Sequence, residues 1–133
     1  MVQQVKYQKT LIIDDDETDI FITKRILESV CFAKELVTHA TADAAMEYLE
    51  KLVEATAQLP EIIFLDLNLP GKSGFDLLED LRKLGEKTKA DFRIVILSNV
   101  IGEHGPELIG ARNYSIVKAV LEKPLNKLIL KGI

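Results

Sequence analysis

Five acids crowd into six positions at Asp14, Asp15, Asp16, Glu17 and Asp19, directly behind the apolar run "TLII" (10–13). A second short apolar run, "EIIFL" (61–65), leads into Asp66; a third, "RIVIL" (93–97), ends at Ser98; a fourth, "KAVLE" (118–122), ends at Lys123. Carboxylates brought close together raise one another's pKa unless a cation lies between them. A hard dication with a preference for oxygen is the natural partner, and magnesium takes one or two carboxylates while still accepting a phosphoryl oxygen. Carboxylates also serve as nucleophiles in aspartyl-phosphate chemistry, where a metal and an ammonium offset the charge on the transferring group. If the fold gathers Asp14, Asp15, Asp66, Ser98 and Lys123, the result is a site for handling phosphoryl groups.

The elements between these residues are arranged to do that gathering. The four runs, with "ELVTH" (35–39) as a more polar fifth, are too short for helices and are apolar without alternation, as in strands covered on both faces of a parallel sheet. Helical spacing separates them. Ile20, Thr23, Leu27 and Cys31 share one side of 17–31, and Thr41 caps a stripe of Ala45, Leu49 and Leu52. Leu77, Leu81 and Leu84 form a third stripe, which Gly85 is expected to stop. Residues 100–117, with four breakers at Gly102, Gly105, Pro106 and Gly110, form an irregular segment, and a short last helix runs from about 125 to 131. The alternation predicts an α/β sandwich around a five-stranded parallel sheet. Strand C-termini in such a sheet lie on one edge, where ligands bind, so the polar residues that end the runs converge there.

Composition bounds the rest. One domain over 1–133 suits the length, and a net charge of −4 argues against a nucleic-acid binder, which needs a basic face. The single Cys31 cannot form an internal disulfide, as suits a reducing cytoplasm. No run approaches the roughly 18 apolar residues of a membrane span, so the expected location is cytoplasmic, with no membrane partner. His39 and His104 stand in poor contexts for zinc. An EF-hand counted from Asp14 would need Gly and Glu where Asp19 and Arg25 stand. "GKSG" (71–74) is no phosphate-binding loop, since the glycine required five residues earlier is Asp66.

"LIIDD" (11–15), "IIFLDLNLPGKSGFDLL" (62–78), "IVILS" (94–98) and "EKPL" (122–125) together resemble the receiver domain of two-component response regulators, over essentially the whole chain. The resemblance implies a doubly wound, flavodoxin-like fold with strand order 2-1-3-4-5 and helices on both faces. It implies that Asp66 is the phosphoacceptor and that Asp15 ligates Mg2+ directly, with Asp14 acting through water or by orienting its neighbours. It further implies that the backbone carbonyl of Asn68 is a ligand, that Ser98 hydrogen-bonds the phosphoryl group, that Lys123 pairs with its charge, and that the Lys123–Pro124 peptide is cis. Asp16, Glu17 and Asp19 are left to face solvent at a helix start, where they favour its dipole.

The implied function is a stand-alone phosphoprotein of phosphorelay signalling. It would take its phosphoryl group from a histidine kinase or phosphotransfer protein and signal to a downstream protein through phosphorylation-dependent contacts, without being a conventional enzyme. A homodimer and a domain cut from a longer chain remain open. Two alternatives stand beside it: a receiver-like interaction module that is never phosphorylated, and a haloacid-dehalogenase-like phosphatase, whose second Asp would fall at Asn68. Two positions depart from the family pattern. Val120 stands where an aromatic ring usually swings inward, and Tyr114 is too distant to replace it; Asn99 stands where a very small residue is usual, and is expected to slow transfer from small phosphodonors.

Overall fold

The computed structural model describes residues 4–67, 69, 74–98, 110 and 114–133. Five strands, β1 (Tyr7–Ile13), β2 (Ala33–His39), β3 (Ile62–Asp66), β4 (Arg93–Ser98) and β5 (Val117–Glu122), alternate with helices α1 (Glu17–Ser29), α2 (Ala42–Glu54) and α3 (Gly74–Thr88). Helix α4 (Lys127–Leu130) follows β5. The sheet is parallel throughout, in the order β2-β1-β3-β4-β5, as expected for a doubly wound fold.

The three inner strands are buried on both faces because each face is roofed by helices. Leu11, Ile13, Ile63, Leu65, Ile94 and Ile96 pack on the side of α2 and α3, together with Leu49, Leu77 and Leu81. Ile12, Ile62, Phe64, Val95 and Leu97 pack on the other side, with Leu27 of α1 and Leu130 of α4. Strand side chains alternate between faces, so a continuous apolar run supplies both cores at once.

Local chemistry sets the helix starts. Asp16 Oδ1 accepts from Asp19 N at 3.0 Å and caps α1, and Thr41 Oγ1 accepts from Ala44 N at 3.1 Å and caps α2. At α3 the first residue must be glycine: a Cβ on Gly74 would lie 2.6 Å from the Cα of Leu67 and 2.8 Å from its carbonyl oxygen.

Three helix boundaries differ from expectation. Gly85 does not stop α3, which runs to Thr88, with Lys89 after it in the left-handed region at φ 62°. Gly85 instead allows a close return of the chain, since a Cβ there would be 3.3 Å from Ala90 O and 3.5 Å from Phe92 Cδ2. Cys31 is not in α1 but beyond it, at φ 51°, and α4 is confined to 127–130.

Pairing is in register along β1–β3 and β3–β4, but β4 and β5 shift by one residue: Ile94 faces Val117, whereas Val95 faces Ala119. Lys118 is the extra residue. From there the ladder continues to Ser98 opposite Glu122.

Candidate functional site

Strand β1 ends at Ile13, β3 at Asp66, β4 at Ser98 and β5 at Glu122, so parallel pairing carries Asp14, Asp66, Ser98 and Lys123 to one edge of the sheet. Two backbone hydrogen bonds fasten that edge. Asp14 N donates to His39 O at 3.1 Å, and Lys123 N donates to Ser98 O at 2.7 Å. Asp14, Asp66 and Ser98 are buried at 1%, 6% and 5% exposure, whereas Asp15 is exposed.

Lys123 sits at the centre. Its side chain, 6% exposed, donates from Nζ to Asp14 Oδ2 at 2.7 Å, to Asp66 Oδ2 at 3.0 Å and to Asp19 Oδ2 at 2.9 Å. The Lys123–Pro124 peptide is cis, as anticipated. Burial by itself would drive the ammonium's pKa down; the hydrogen bonds it donates to three carboxylates reverse this, and the net displacement is upward. For Asp14 burial prevails and the pKa rises, although Lys123 and the Asp16 backbone N–H, which donates to Asp14 Oδ1 at 3.0 Å, pull it down.

The donor set fits a hard dication. Asp14, Asp15 and Asp66 each offer a carboxylate oxygen, all within 4.8 Å of one another. One ammonium is too little positive charge for these three together with Asp19, and an all-oxygen set suits magnesium or manganese rather than zinc. Asn68 and Asn99 lie outside the described residues.

Asp19 is the residue that sequence reasoning placed wrongly. It was expected in solvent, but its carboxylate is 25% exposed and bound to Lys123. No signal in the sequence marked it, because an acid in the first turn of α1 is already accounted for by the helix dipole. Val120 is half-buried, packed against the core on the α2 and α3 side. Tyr114 is also half-buried on that side and hydrogen-bonded to Glu79 of α3, away from the pocket.

The profile of the response regulator receiver domain matches residues 10–130. The chain belongs to this family. Among curated relatives, the receiver matches the sensory/regulatory protein RpfC of Xanthomonas campestris pv. campestris with 27% identity over 123 residues, which is 92% of this chain and only 15% of that protein. Among solved structures it resembles a two-component response regulator from Cytophaga hutchinsonii, with a TM-score of 0.85 and 24% identity over 97% of this chain and 94% of the other. It also resembles the phosphorylated cyanobacterial phytochrome response regulator RcpA, with a TM-score of 0.73 and 29% identity over 95% and 90% of the two chains. No described helix of this receiver is long and apolar enough to cross a membrane.

Proposed function

We infer that this receiver accepts a phosphoryl group on Asp66, with magnesium required, and signals through protein contacts that depend on it. The observation that carries the reading is the ammonium of Lys123 joining Asp14 to Asp66 while Asp15 completes the carboxylate cluster. A carboxylate oxygen of Asp66 attacks the phosphorus of a phosphohistidine; the P–N bond breaks, and its electron pair leaves on the imidazole nitrogen, which takes a proton from solvent. Asp15 and Asp66, with Asp14 orienting and the Asn68 carbonyl assisting, would hold the magnesium ion. The ion supplies charge neutralisation for the phosphoryl oxygens.

The chain's own residues do the rest. Lys123 provides an N–H and a positive charge in a pocket largely closed to water, where such charge acts more strongly. Ser98, held to Lys123 through the backbone, donates its hydroxyl to the phosphoryl group once that group is on Asp66. The donor is a histidine kinase or phosphotransfer protein, as suits a match to part of a sensory/regulatory protein. The phosphorylated state of RcpA supports the acceptor chemistry by likeness.

Incubation with acetyl phosphate and magnesium, followed by intact-mass measurement, tests this. A phosphoryl adduct that disappears in Asp66→Asn is expected. No adduct with acetyl phosphate or with a panel of phosphorylated kinases would leave only an interaction module, and steady turnover of a phosphomonoester would indicate a phosphatase.

A further inference from the structure

A lysine ammonium has three N–H bonds to give, and Lys123 gives one each to Asp14, Asp66 and Asp19. The first two contacts belong to the reading above. The third comes from the first turn of α1, from a carboxylate outside the Asp14–Asp15–Asp66 cluster and with no part in the transfer itself. We propose that Asp19 is a positioning residue that restrains Lys123 in the unphosphorylated receiver and thereby limits how tightly the pocket takes up a phosphoryl group. This rests on Asp66 being the acceptor.

A phosphoryl group on Asp66 brings new negative charge and needs an N–H from Lys123, so one existing partner must yield. Asp14 is poorly placed to do so: its Oδ1 accepts from Asp16 N, its own N–H is bound to His39 O, and its side chain is 2% exposed. Asp66 ends a central strand at 8% side-chain exposure and itself carries the incoming group. Asp19 differs. Its backbone is fixed by the cap bond to Asp16, yet its side chain is 25% exposed beside a hollow of about 160 Å³ bounded by Ile22, Thr23, Lys123 and Pro124. Its carboxylate has room to swing toward water. Until it does, it occupies the third N–H and repels the arriving anion.

Beryllofluoride, a stable mimic of the phosphoryl group, tests this by calorimetric titration in magnesium. One partly screened charge a few ångströms away predicts binding about three- to tenfold tighter in Asp19→Asn. Asp19→Glu, which keeps the charge, is expected to stay near wild type. Glu17→Gln removes an equal charge from the same helix turn without touching Lys123, and should change affinity by less than about twofold. In labelling with acetyl phosphate, the half-saturating concentration falls in Asp19→Asn more than the limiting rate changes. If Asp19→Asn does not fold, as judged by its melting curve, Asp19→Ser takes its place. Unchanged affinity in the charge-removing variant, or an equal gain in Asp19→Glu or Glu17→Gln, overturns the role of Asp19 while leaving Asp66 as acceptor. A wild-type protein that neither binds beryllofluoride nor takes a phosphoryl group overturns both.

Discussion

His39 ends the edge strand with its ring 4.9 Å from that of Tyr48 and its Nε2 buried without a hydrogen-bond partner among the described residues. Burial holds its pKa below the usual imidazole value. The folded protein therefore binds a proton at His39 less readily than the unfolded chain, so this residue's contribution to stability is intact above pH about 6.5 and is lost as pH falls from there through the lower folded pKa. His39→Phe keeps a ring against Tyr48 and cannot titrate. Its urea midpoint should fall less than that of wild type between pH 7.5 and pH 5.5. The residues of the pocket were largely legible because each is a polar group that ends an apolar run, and a parallel sheet sends all such ends to one edge. Asp19 was not legible for a physical reason: an acid in the first turn of a helix is already accounted for by the dipole, so nothing in its type demanded a partner.

At the scale of elements, α3 shows how one residue type can mislead. Gly85 has the composition of a stop signal but serves a close approach, and the left-handed residue after the helix is Lys89. A lysine there bears a conformational cost that glycine does not. Lys89→Gly should stabilise the protein by about 0.5–1 kcal/mol, read as a higher urea midpoint with unchanged slope. Gly74→Ala has the opposite sign. Its Cβ would press on the backbone of Leu67, which cannot rotate away, and the expected loss is about 2–3 kcal/mol. The five strands and three longer helices were readable from apolar periodicity and caps, whereas helix ends depended on contacts made by the returning chain, such as Ala90 and Phe92 against Gly85.

Over the whole molecule, the sheet concentrates negative charge at one edge and, among the described residues, answers it with the buried ammonium of Lys123. Asp14, Asp19 and Asp66 bind Lys123 while Asp15 lies close to Asp14 and Asp66, so a dication should stabilise the fold as well as support chemistry. Magnesium at ten times its dissociation constant would add about 1.4 kcal/mol by mass action. Calorimetric melting with and without the metal measures this gain, which should shrink strongly in Asp15→Asn. The strand order was readable only through family likeness, since periodicity alone does not say which strands are neighbours. The one-residue shift at Lys118 bears on how far this chain tolerates changes of length. Removing Lys118 would leave a regular ladder with Ser98 still opposite Glu122, and the ammonium still aimed inward. Removing Val120, beyond the shift, would draw every later residue back by one and turn the lysine toward the opposite face. Deletions two residues apart should therefore part company, one silent and the other disabling.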